Sequence, residues 1–217
     1  PSELNDTTAH KIGTSIALFF REKNPDVKNI VVGRDMRLSS KSLANALIEG
    51  LCTAGLNVIN VGVVSSEMTY FAVGHYKYDG GVMVTASHNP AEYNGFKLCR
   101  EQAIPVSFET GIDRISKLTK QYHPLRGEHL GKVIVSDIFV DYKKHVLKFA
   151  SNLRHLRVVI DAGNGMAGKT IPLVCEGLPI EIIPLYFELD GSFPNHEANP
   201  LKPENMVDLQ KKVRETR

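Results

Sequence analysis

A serine, a histidine and a lysine stand close together in the stretch VMVTASHNPAEYNGFK, residues 82–97: Ser87, His88 and Lys97. The apolar run Val82-Met83-Val84 reads as a short buried strand that delivers Ser87 at its carboxyl end. Asn89-Pro90 and Asn94-Gly95 are turn formers, so Pro90 fixes the backbone and the second turn returns Lys97 to the same edge. A hydroxyl nucleophile, a titratable imidazole and a cation on one rigid platform suit phosphoryl transfer, where catalysis is mostly positioning and charge neutralisation. They do not suit an acyl-transfer serine. There is no G-x-S-x-G elbow, and His88 is adjacent in the chain, poorly placed to lie against the Ser87 hydroxyl. A phosphate on Ser87 would add about −1.5 to −2 charges and would need cations: Lys97, a metal or an arginine. Each of these residues taken singly is also an ordinary loop residue; their combination carries the chemistry.

The elements that must hold this platform alternate between helix and strand. Apolar positions predict helices over residues 7–22, over the segment carrying Leu43, Leu47, Leu51 and Ala54 (capped by Ser39 or Ser40), and over 67–76. Strands are expected at 30–32, 58–61 and 81–85, with a further one at 96–98. A helix at 108–118, a polar loop at 121–132 and a helix from Ile138 to Phe149, capped by Ser136 or Asp137, complete a first unit, residues 1–150. A second unit, 151–217, repeats the theme: strand 157–160, glycine-rich turn 161–165, helix 169–175, strand 180–185, a long polar loop 190–203 and a helix through Met206, Leu209 and Val213. The pattern implies an α/β fold, a mixed but mostly parallel sheet sandwiched by helices, followed by an incomplete second α/β domain. In such sheets ligands sit beyond the carboxyl ends of the strands. The opening motif lies at one such end and Gly33-Arg34-Asp35-Met36-Arg37 at another, where an Arg–Asp pair bracing the turn is weighed against phosphate contact.

The 85–90 stretch TASHNP, followed by Tyr93-Asn94-Gly95-Phe96-Lys97, closely resembles the phosphoserine loop of the α-D-phosphohexomutases, the family of phosphoglucomutases, phosphomannomutases and phosphoglucosamine mutases. VVGRDMRLSSKSLANALIEGL resembles that family's first strand-turn-helix, VVIDAGNGMAG the opening of its second domain, and NPLKPENMVDLQKKVRETR the helix before its metal-binding loop. The resemblance spans essentially the whole chain. It implies an enzyme that interconverts hexose 1-phosphate and hexose 6-phosphate through a phosphorylated Ser87 and a hexose 1,6-bisphosphate intermediate. It also implies a magnesium ion bound through the phosphate on Ser87 and three aspartates, and acid/base or charge-stabilising roles for His88 and Lys97, with Lys97 favoured as base. AEYNGFK leans toward the phosphomannomutase/phosphoglucomutase type over the glucosamine type. No Asp-Gly-Asp occurs in the sequence, so the expectation is an N-terminal fragment, truncated before the metal loop and inactive alone.

Two other functions compete. Gly163-Asn164-Gly165-Met166-Ala167-Gly168 satisfies G-x-G-x-x-G after a strand, and Glu188 follows at about the spacing of a dinucleotide fingerprint, which would make the second unit an NAD-binding Rossmann domain. Asp161 just before the first glycine opposes this, because it sets a carboxylate where pyrophosphate would lie. A non-catalytic module using Ser87 as a phosphorylation switch is the other. Composition narrows the field: 217 residues, 42% hydrophobic and 23% charged, with a net charge of +2 and both signs interspersed, argue for neither a nucleic-acid nor a membrane partner. Cys52, Cys99 and Cys175 contain no CxxC and read as reduced, packed thiols in a cytoplasmic protein. The remaining histidines, His196 among them, lack metal-ligand spacing and read as surface or packed residues.

Overall fold

The computed structural model describes residues 3–124 and 129–216. A five-stranded sheet in the order β4-β3-β1-β2-β5 forms the first unit, from β1 (Asn29–Arg34), β2 (Asn57–Val63), β3 (Gly80–Val84), β4 (Phe96–Arg100) and β5 (Val133–Val135). β1, β2, β3 and β5 run parallel and β4 pairs antiparallel to β3, so the sheet is mixed and mostly parallel. Helices α1 (Asp6–Lys23) and α2 (Ser40–Thr53) cover one face together with α4 (Asp113–Lys120). Helices α3 (Ser66–Tyr76) and α5 (Phe139–Leu147) cover the other. Strand alternation explains the two cores: Ile30, Val32, Val82 and Val84 point to the α1/α2 side, and Val31, Ile59 and Met83 to the α3 side. The second unit is a βαβ crossover, β6 (Leu156–Asp161), α6 (Ala167–Cys175) and parallel β7 (Ile180–Leu185), with α7 (Val207–Glu215) against β6.

Local chemistry sets the ends. The Asn5 side chain accepts from Thr8 N at 2.9 Å and caps α1, while Arg21 and Lys23 sit in its last turn, where cations suit the helix dipole. Neither Ser39 nor Ser40 makes the expected side-chain cap on α2. Ser40 Oγ donates instead to Asp35 Oδ1, so its hydroxyl is spent on the β1 turn. Asp137 Oδ1 accepts from Phe139 N at 2.9 Å at the start of α5, which selects Asp137 over Ser136 for that end.

Three expectations need correction. Residues 108–118 are not one helix: a wide turn at Phe108–Ile112 precedes α4, and the backbone leaves helical geometry at Gly111, which packs against the Phe19 ring. The expected strands miss β5, which follows the polar loop at 121–132 and joins the open edge of β2; residues 125–128 of that loop lie outside the described residues. The strand at 96–98 is longer, reaching Arg100.

Two neighbouring strands matter for the site. β1 sits between β2 and β3, so the chain runs out from β1 to β2 and then crosses back to the other side. That reversal opens a crevice at the carboxyl ends of β1 and β3, where doubly wound sheets bind ligands.

Candidate active site

Ser87 emerges where β3 ends. β3 is buried at every position and hydrogen-bonded on both sides, which makes it a rigid support. Beyond it, Thr85 N donates to Gly95 O at 3.0 Å, closing the loop at its neck, and Ser87 N donates to the Thr85 hydroxyl at 3.0 Å. Ser87 itself takes a left-handed backbone, φ 56°, and its side chain is exposed. A non-glycine residue held there is strained, and such strain persists only where the surroundings over-determine it.

The surroundings do so mainly through Arg37. Its Nη1 donates to Pro90 O at 2.6 Å and Tyr93 O at 3.1 Å; its Nη2 donates to Asn89 O at 2.7 Å and Ser87 O at 2.9 Å. One planar fork of donors thus gathers four carbonyls of the Ser87 loop, which a lysine with a single nitrogen could not do. Arg37 Nε lies 3.3 Å from Asp35 Oδ2, with the Arg37 side chain fully buried. Burial pulls the guanidinium below its ordinary pKa, and the Asp35 carboxylate opposes that shift. The Asp35–Arg37 pair therefore braces the turn, as one of the two sequence alternatives held, and Arg34 Nη1 likewise turns back to Asp35 O at 3.2 Å. The clamp on the loop carbonyls left no trace in the sequence pattern. Asn94 adds a second tie, donating to the hydroxyls of Ser39 and Ser40 at 2.9 Å each.

The loop faces a cleft of about 620 Å³ between the two units, lined by Ser87 and His88 on one wall and by Asp161, Gly163 and His196 on the other. His88 is exposed beside Ser87, and no hydrogen bond joins their side chains among the described residues. Lys97 lies on β4 directly opposite Met83, so its exposed side chain leaves the sheet on the α3 face. The structure brings Ser87 and His88 to the cleft, and Lys97 is not among the residues that line it.

The opposite wall holds a pair that spacing could not disclose. His196 Nε2 is 3.0 Å from Asp161 Oδ2, and its Nδ1 is 2.8 Å from Glu197 O. Thirty-five positions separate the partners, and only the return of the 190–203 loop over β6 joins them. Burial lowers the His196 pKa, but the Glu197 carbonyl and the Asp161 carboxylate outweigh it, and the net shift is upward. Of the cleft carboxylates, Asp35, Asp161 and Glu197 lie against Arg37, His196 and Lys202 respectively, the histidine being a cation when protonated, while Glu67 has no ion-pair partner among the described residues.

The G-x-G-x-x-G segment has other duties. Gly163 N donates to Asp161 Oδ1, Asn164 N to Tyr186 O, Gly165 N to Ala162 O and Gly168 N to Gly165 O. Four amides of the segment are thus spent within the fold, which disfavours the dinucleotide site. The glycine at 168 serves packing, since a Cβ there would stand 2.0 Å from Phe187 O. Among the described residues no three His, Cys, Asp or Glu side chains cluster as a metal centre would need. No helix is long and apolar enough to cross a membrane among the described residues.

Comparison with known proteins bears directly on this geometry. Residues 1–125 match the family model for phosphoglucomutase/phosphomannomutase, alpha/beta/alpha domain I, and residues 137–217 match that for domain II. A phosphomannomutase of Vibrio cholerae serotype O1 is 39% identical over 221 residues, covering 99% of this chain and 48% of its own length. Phosphohexose mutases of Xanthomonas campestris pv. campestris are 41% identical over 217 residues, covering 99% of this chain and 47% of theirs. The crystal structure of a phosphoglucomutase/phosphomannomutase family protein from Burkholderia thailandensis superposes with a TM-score of 0.86 at 32% identity, over 97% of this chain and 46% of that one. The chain thus spans about half the length of the curated relatives it matches, at 48% and 47%.

Proposed function

The chain belongs to the phosphoglucomutase/phosphomannomutase family, and from that premise we propose that Ser87 carries the phosphoryl group of a phosphohexomutase. The whole protein, on this reading, interconverts hexose 1-phosphate and hexose 6-phosphate through a hexose 1,6-bisphosphate. The observation that carries it is the mounting of Ser87: a strained serine at the end of a buried strand, its loop carbonyls clamped by Arg37, opening on a cleft at the sheet's carboxyl edge.

The steps follow from that mounting. The phosphoryl group on Ser87 passes to the free hydroxyl of a hexose 1-phosphate; the P–Oγ bond breaks and a new P–O bond forms to the sugar. The sugar hydroxyl gives up its proton, and Lys97 on β4 is the favoured acceptor, with His88 on the cleft wall to stabilise charge around the phosphate. The bisphosphate turns over, and its other phosphate returns to the Ser87 oxygen. The family resemblance adds magnesium, which would neutralise charge on the phosphate. Of the residues named here, only Ser87, through its phosphate oxygen, would touch it, so every step above rests on this chain's own groups. We propose the boundary between the two units near residue 150, after β5 has paired with β2 and after α5, which packs on both α3 and α6; the match to domain II begins earlier, at residue 137.

The test uses the whole protein. Incubated with a hexose 1,6-bisphosphate, it should gain one phosphoryl group by intact mass, mapped to Ser87 and absent in S87A. The phosphate should then leave on addition of a hexose 1-phosphate, and comparing glucose, mannose and glucosamine forms assigns the sugar. A phosphate on Ser87 that never exchanges would replace this function with the switch module.

A further inference from the structure

The second unit touches the Ser87 platform at one turn, and that contact is unusually close. Gly191 packs so tightly on the β1 turn that a Cβ there would stand 2.7 Å from both Arg37 Cα and Leu38 N. Two residues on, Arg37 Cζ lies over the Phe193 ring, 5.0 Å from its centre. The same guanidinium is paired with Asp35 and donates to the four loop carbonyls, so the ring packs on the ion that holds the loop. Phe193 is buried and holds a left-handed backbone, φ 52°, rare for a bulky residue. The turn that imposes this is tied at both ends. Phe193 N donates to Asp190 O at 3.1 Å, Ser192 N and Oγ both donate to Asp190 Oδ1, and Asp190 N donates to Asn164 O at 3.1 Å, beyond β6.

We propose that Phe193 is a positioning residue for Ser87 that acts through Arg37. The ring holds the guanidinium in place, that placement sets where its four donors point, and the donors fix the carbonyls of the loop that presents the serine. Placement of the second unit is thereby read out as geometry at Ser87, 106 positions from Phe193 along the chain. The inference rests on Ser87 being the phosphoryl carrier.

The test compares F193L, which keeps apolar bulk, with F193Y, which keeps the ring, in the whole protein. F193L should speed amide hydrogen exchange across residues 86–94 by about tenfold or more while β1 and β3 amides stay within about twofold of the parent. It should also lower kcat for hexose phosphate interconversion by about tenfold with KM held within about threefold, and F193Y should match the parent in both. A merely structural role would lower thermal stability without that split between kcat and KM. Parental loop exchange in F193L overturns the proposal, and so does a loosened loop with unaltered kcat. A parent that turns over no hexose phosphate fails the mutase function itself and is recognised before any variant is compared.

Discussion

At the scale of single residues, Arg37 is the buried charge on which the site depends. Replacing it with methionine leaves Asp35 unpaired and strips the partner from four carbonyls. Breaking a buried pair in this way costs about 3–5 kcal/mol, so urea denaturation of R37M should show a loss of that order, with R37K falling between it and the parent. His196 gives a prediction in pH. Both ring nitrogens face acceptors, so the doubly protonated ring satisfies both, and its pKa is raised from the ordinary 6.5. A histidine whose folded pKa exceeds its unfolded one contributes stability in full below the unfolded value. That contribution is lost as pH rises through the folded value. An NMR titration of the His196 ring should therefore have its midpoint above 6.5, D161N should lower it, and the stability gap between parent and H196Q should narrow as pH rises across that window.

At the scale of elements, α6 owes its position to a missing side chain. A Cβ on residue 168 would overlap the Phe187 carbonyl at 2.0 Å, so G168A should force β6–α6 away from the end of β7. Overpacking of this kind costs about 1–3 kcal/mol, measurable as a lower denaturation midpoint at unchanged slope. The helices and most strands were legible in advance because amphipathic spacing and alternation are local signals. α1 and α2 show this in Ile16, Phe19, Leu43, Leu47 and Leu51, all in the core. β5 was not legible: three apolar residues carry no period, and only the open edge of β2 makes them a strand. Gly111 defeated the helix at 108–118 for a similar reason, since contact with Phe19 lies outside any local window.

At the scale of the whole molecule, the two units meet across the cleft through Phe193 on Arg37 and through Lys169, whose Nζ donates to Val63 O at 2.9 Å and lies 4.4 Å from the Phe139 ring centre. The glycine-rich turn forms part of the cleft wall through Gly163 and Gly165. Calorimetric titration of NAD or NADP should give no saturable binding, because the amides of Gly163, Asn164, Gly165 and Gly168 are already bonded within the fold. Ser87, His88 and Lys97 could be singled out from sequence because they lie within one strand-turn-strand, where chain connectivity alone keeps them near one another. Asp161 with His196, and Arg37 with Phe193, could not, since nothing local couples residues 35 and 156 positions apart. Sequence by itself determined the α/β class, the Ser87 loop as a candidate site and the family resemblance, all properties of short-range pattern. The tertiary structure alone decided which charge holds the loop, which ring covers that charge and which wall faces the serine, because burial and long-range contact exist only once the sheet edges and the two units are brought together.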